Sequence, residues 1–189
     1  MAKKIFYITL NLNARLLPLD REPLDDALDK ILKKLKIGET DGGGTLVSKS
    51  GEIENCDIEL CINKNSFDND INKAMDKLSE IVDVLGVPKK SRLMCGDTVR
   101  PVGKLEGLAF YANGTELPDD VYKNCDINYV IEQMEKCMDG IGRFYSYWQG
   151  PTETALYFYG TSYDEMKSSI ENFVGEYPLC SKSRIVRIA

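Results

Sequence analysis

Two kinds of apolar spacing alternate along this chain, and their order occurs twice. In Ile5–Leu12, the side chains of Phe6, Ile8, Leu10 and Leu12 share one face at period two, which predicts a strand. Pro23 then opens a predicted helix, with Leu24, Ala27, Leu28, Ile31, Leu32 and Leu35 at helical spacing up to Gly38. Turn-rich Asp41–Gly44 leads to short strands at Thr45–Ser48 and Cys56–Ile62, separated by Gly51. A second helix is predicted over 68–85, on Ile71, Met75, Leu78, Val82 and Leu85, and ends at Gly86 and Pro88. Ser91–Cys95 reads as the closing strand.

After a predicted loop at Gly96–Gly103 the order recurs. Leu105–Ala112 is a strand, Asn113-Gly114 a turn, and Asp126 caps a helix bearing Ile127, Val130, Ile131, Met134 and Met138. Strands 143–149 and 154–159 flank Gly150-Pro151. Ser162 and Glu165 stand at capping-box spacing before a helix with Met166, Ile170, Phe173 and Val174. Pro178 stops that helix, and Ser183–Ile188 reads as a strand. Each half therefore predicts β-α-β-β-α-β, an α+β class of two tandem ferredoxin-like units, 1–100 and 101–189, with antiparallel sheets and helices on one face. A local echo supports duplication. Lys90-Ser91-Arg92-Leu93 after Pro88 matches Lys182-Ser183-Arg184-Ile185 after Pro178.

Composition excludes several chemistries. The 189 residues contain no histidine, which removes Ser-His-Asp and Cys-His nucleophile activation and every imidazole metal site. Cys56 and Cys61, five apart on a strand, point to opposite faces and cannot share an ion. Cys125 and Cys137 flank most of a helix, so no metal is expected. The glycines of Asp41-Gly42-Gly43-Gly44-Thr45 follow a helix and enter a strand, the reverse of a phosphate loop. The acids Glu52, Glu54, Asp57 and Glu59 alternate with apolar residues as on an ordinary solvated face. No catalytic residue and no cofactor are therefore assigned.

The net charge of −6 is uneven: residues 1–100 carry 16 Lys/Arg and 17 Asp/Glu, leaving 8 and 13 for residues 101–189. Such an acidic half repels phosphate backbones and argues against nucleic acid, while it suits a basic protein partner. The start, Met1-Ala2-Lys3-Lys4 followed by Ile5–Ile8, is too short and polar for a signal peptide, and no run reaches the ~18 apolar residues of a membrane span. The six cysteines are expected as reduced, mostly buried thiols, and the location as cytoplasmic.

The most distinctive stretch is the second-half hairpin. Residues 145–159 hold the one tryptophan, four tyrosines and a phenylalanine. Simple alternation places Phe144, Ser146 and Trp148 on one face of the first strand, with Tyr145, Tyr147 and Gln149 on the other. Thr154, Leu156 and Phe158 oppose Ala155, Tyr157 and Tyr159 on the second. One face must pack under the helices; the other either packs on the other repeat's sheet or stays open as a contact surface. Tyrosine and tryptophan give large contact area with few rotors to freeze. Arg143, Tyr145, Tyr147, Trp148, Gln149, Glu153, Tyr157 and Tyr159 are the candidate partner-binding residues.

The segments EGLAFYANGTELPDDVY (106–122), SYWQGPTETALYFYG (146–160) and YPLCSKSRIVRIA (177–189), with DGGGTLVSKSGEIENCDIEL (41–60) and LGVPKKSRL (85–93), resemble a family of small uncharacterised bacterial proteins. The resemblance covers most of the chain and implies no catalytic residue. Small acidic proteins of this kind look like immunity proteins, which neutralise toxins delivered by neighbouring bacteria. It implies a non-catalytic inhibitor that occludes a toxin domain. A small-molecule sensor is the alternative, its ligand held between the glycine-rich 41–45 segment and the hairpin turn 149–154. A third reading is an enzyme using Cys, Tyr or carboxylates without histidine.

Overall fold

The computed structural model describes residues 4–189, so the Met1–Lys3 start lies outside the described residues. The chain divides into two compact units: residues up to Val47 with Ile53–Lys104, and Ser48–Glu52 with Leu105–Ala189. The described residues form an α+β structure with two antiparallel sheets and five α-helices.

In the first unit β1 (Ile5–Leu12), α1 (Pro18–Leu35), β2 (Gly38–Val47), β3 (Ile53–Asn63), α2 (Ile71–Leu85), β4 (Ser91–Cys95) and β5 (Thr98–Val102) follow in order, and the sheet runs β2-β3-β1-β4-β5. The period-two residues of β1 pair in register with those of β3, Ile8 with Leu60 and Leu10 with Ile58. These four are buried, as are Leu28 and Leu32 of α1 and Met75, Leu78 and Val82 of α2. The opposite face of the sheet is polar. Thr9 donates to Glu59 at 3.0 Å, Asn11 donates to Asp57 at 2.7 Å, and Arg92 donates to Asn11 at 3.3 Å. The alternating acids of β3 therefore bond to neighbours across the strands on a partly solvated surface.

Three local readings change. Pro18, not Pro23, starts α1, and Pro23 lies inside it. Its missing N–H would have met the Leu19 carbonyl, but both residues are exposed, so water can satisfy that group. Asp41–Gly44 is strand rather than turn, because β2 continues through it with a register shift between Thr40 and Gly43. Here Gly43 is needed for close approach: a Cβ on it would overlap the Asp57 carbonyl oxygen of β3. The expected loop at 96–103 contains β5, whose Pro101 hides the strand signal but is tolerated at a sheet edge.

In the second unit β6 (Glu106–Asn113), α3 (Asp119–Asn124), α4 (Ile127–Cys137), β7 (Gly142–Gln149), β8 (Glu153–Gly160), α5 (Tyr163–Glu176) and β9 (Arg184–Arg187) form a sheet ordered β7-β8-β6-β9. The short helix α3 was not expected from the sequence, since its six residues bury nothing and carry no apolar stripe. The two caps read from sequence are present: Asp126 accepts from the Asn128 N–H at 2.8 Å, and Ser162 from the Glu165 N–H at 3.3 Å. Leu108, Phe110, Leu156 and Phe158 pack with Val130 and Met134 of α4 and Met166 and Ile170 of α5 in one buried cluster. The Lys-Ser-Arg echo also has a backbone counterpart. Lys90 and Lys182 both take left-handed conformations, φ 69° and 56°, just before β4 and β9.

Candidate functional site

The hairpin of β7 and β8 is built around one irregularity. Phe144 pairs with Phe158, but Ser146 pairs with Tyr157, so Tyr145 is an extra residue in β7. Such a bulge shifts every later side chain to the other face. Simple alternation is thereby corrected. Tyr147 now pairs with Leu156 on the helix side, and Trp148 pairs with Ala155 on the opposite side, which also carries Tyr145, Tyr157 and Tyr159.

The eight predicted contact residues do not share one environment. Tyr157 and Tyr159 are 0% and 1% exposed, which removes them from any surface and corrects their assignment. Buried rings in that position serve packing: Tyr145 meets Tyr159 edge to face at 5.2 Å, and the Arg143 guanidinium lies 4.6 Å over the Tyr145 ring. Trp148 is half-buried and folds over the turn, since a Cβ on Gly150 would overlap its six-membered ring. Glu153 is held by Arg184, with oxygen–nitrogen distances of 2.6 and 3.2 Å. That contact comes first among the causes that raise the Arg184 pKa. Arg143, Tyr147 and Gln149 are exposed. Tyr147, at 48%, is the large ring most open to solvent on this hairpin.

Under these rings lies a polar knot that the sequence did not reveal. Glu52 accepts hydrogen bonds from the Tyr111 phenol at 2.6 Å and the Tyr157 phenol at 2.7 Å. Arg184 stacks 3.5 Å over the Tyr111 ring while it binds Glu153. Glu52 read as one of several alternating acids, and only the fold places it in the second unit. Tyr111 could have been found: strict alternation along β6 sets it opposite Ala155, on the face of Tyr157.

On the helix side, Tyr147 borders a groove of about 380 Å³ with Phe144, Leu156, Ile127 and Ile131. The wall is mainly apolar, and the opening lies along β7, an edge strand.

The thiols give no sign of activation. Burial raises Cys56 to about 11 and Cys180 to about 12. Cys61 is also raised, by burial first and then by its contact with Asp41. A catalytic thiolate needs the opposite shift. Among the described residues, no group of three or more Cys, Asp or Glu side chains comes together to hold a metal ion, and no helix is long and apolar enough to cross a membrane. The glycine-rich 41–45 segment, being strand, provides no ligand loop.

No protein-family model matches this chain, and comparison with curated proteins found no match.

Proposed function

We propose that this chain is a non-catalytic protein-binding module, and that it acts as an immunity-type inhibitor that occludes a toxin domain. The observation that carries the reading is the uneven burial of the aromatic hairpin. A rigid base of sealed rings, Tyr157 and Tyr159, supports an outer layer of exposed or half-buried Arg143, Tyr145, Tyr147, Trp148 and Gln149. Preorganised aromatic groups on a stiff sheet lose little entropy on docking, which suits a contact surface. The acidic balance of the second half suits a basic partner. The upward-shifted thiols and the absence of histidine support a role without catalysis.

The tandem ferredoxin-like reading belongs to the same proposal. The orders β2-β3-β1-β4 and β7-β8-β6-β9 place equivalent elements at equivalent sheet positions, and β5 is an added edge strand. The matched left-handed lysines support duplication of one unit. The functional reading is tested by co-expressing the chain with the product of the adjacent gene. A stoichiometric complex that suppresses that product's toxicity is the expected result. Recovery of the chain alone, from a strain in which the neighbour is harmless, refutes it.

A further inference from the structure

Of the four sheet edges in the two units, three are closed to a further strand. On β2, Asp29 of α1 accepts from the Thr40 N–H at 3.1 Å, and Arg21 donates to the Gly44 carbonyl at 2.6 Å. On β5, Pro101 lies within a five-residue strand and carries no N–H. The β9 edge is only four residues long. Natural sheets block edges by such means.

The β7 edge is closed only in its first half. The Phe144 N–H is taken by Glu135 of α4 at 3.0 Å. Beyond the bulge the geometry changes. Gly150 donates to the Glu153 carbonyl at 2.9 Å, so this pair faces inward. Antiparallel alternation then turns the backbone groups of Gln149 and Tyr147 outward, away from β8. Both residues are exposed. The apolar groove walled by Phe144, Leu156, Ile127 and Ile131 opens beside them, on the helix face.

We propose that the outer half of β7, from Ser146 to Gln149, accepts an extended peptide segment of a partner as an additional strand. One apolar side chain of that segment enters the groove beside Tyr147, and Lys or Arg residues flank it. Main-chain hydrogen bonds and alternating side-chain pockets are the means by which sheet edges recognise peptides. The sign of the flanking charge follows from α4. Asp126, Glu132, Glu135 and Asp139 are exposed on or beside this helix. The nearby cations are engaged, Lys136 by Glu132 at 2.7 Å and Arg143 over the Tyr145 ring. A second copy of the chain at the same edge would set two acidic α4 rims side by side, a like-charge contact. The proposal rests on the protein-binding reading and adds the mode of binding and the chemistry of the bound segment.

The test pans a displayed library of random twelve-residue peptides on the full chain and on Tyr147→Pro. Proline at a position whose N–H points outward removes the edge donor and leaves the ladder to β8 in place. Selected peptides should alternate apolar and polar residues with flanking Lys or Arg, and should bind Tyr147→Pro at least tenfold more weakly. Amide exchange at Tyr147 and Gln149 should slow by tenfold or more in the complex. Ile131→Glu, which puts charge on the groove wall, should reproduce the loss and covers the case in which the proline variant does not fold. Absence of any selected sequence, an acidic consensus, binding indifferent to both variants, or a dimer in sedimentation that Tyr147→Pro abolishes would each overturn it. The two readings fail separately. A partner from the co-expression test that still binds Tyr147→Pro and Ile131→Glu removes strand addition and leaves protein binding intact.

Discussion

Replacing Tyr157 by Phe removes one oxygen from a fully buried ring and leaves no cavity, so its effect reports on hydrogen bonding at Glu52. A hydroxyl-to-carboxylate bond is worth about 1.5–3 kcal/mol. Glu52 is only half-buried, so water can partly replace the lost donor. The lower part of that range applies, about 1.5–2 kcal/mol for Tyr157→Phe and a similar amount for Tyr111→Phe, whose bond is 2.6 Å. A single truncation deletes every interaction of the phenol, so the pairwise quantity comes from a double-mutant cycle with Glu52→Ala. Urea denaturation of the four proteins should give a Tyr157–Glu52 coupling of about 1–2 kcal/mol, with Tyr157→Phe almost silent once the carboxylate is gone. A coupling within about 0.5 kcal/mol of zero would show that this carboxylate is not what holds the two phenols.

Further perturbations separate the other features. Gly43→Ala should cost about 2 kcal/mol or more, because the new methyl overlaps the Asp57 carbonyl, whereas Gly44→Ala has open space and should stay within about 0.5 kcal/mol; denaturant midpoints distinguish them. Ser162→Ala should cost about 0.5–2 kcal/mol by loss of the bond to the Glu165 N–H, read by the same assay. Cys56 binds its proton more tightly folded, near 11 against an ordinary 9.0, so its contribution is complete below pH 9 and is lost as pH rises towards 11. That amounts to about 3 kcal/mol across this window, and Cys56→Ala should flatten the alkaline limb of the stability profile. Thiol labelling of the native protein at pH 8 should modify exposed Cys137 and spare Cys56 and Cys180 until denaturant is added.

What the sequence made legible follows from how locally each signal is encoded. Strands β1, β3, β6 and β8 and helices α2, α4 and α5 declare themselves because their apolar period is long enough to count, and because Asp126 and Ser162 mark their starts. The first helix was misplaced by five residues, since Pro18 and Pro23 carry the same start signal and only burial of the following stripe decides between them. Continuation of β2 through Asp41–Gly44 could not be read, because three glycines signal a turn unless a neighbouring strand comes close enough to require them. At the hairpin, the residue types were informative and the phase was not. The bulge at Tyr145 leaves no mark in composition, so Trp148 and Tyr147 were each assigned to the wrong companion. Glu52 was equally hidden, because its partners Tyr111 and Tyr157 are 59 and 105 residues away.

The extra residue in β7 also governs how this protein could diverge. In most surface strands, loss of one residue shortens an end and little else changes. Deletion at Tyr145 would instead transpose the inside and outside of everything up to the turn, sending the indole beneath the helices and the exposed phenol onto the buried rings. The length of this segment should accordingly be far less free to drift than the identity of its exposed side chains.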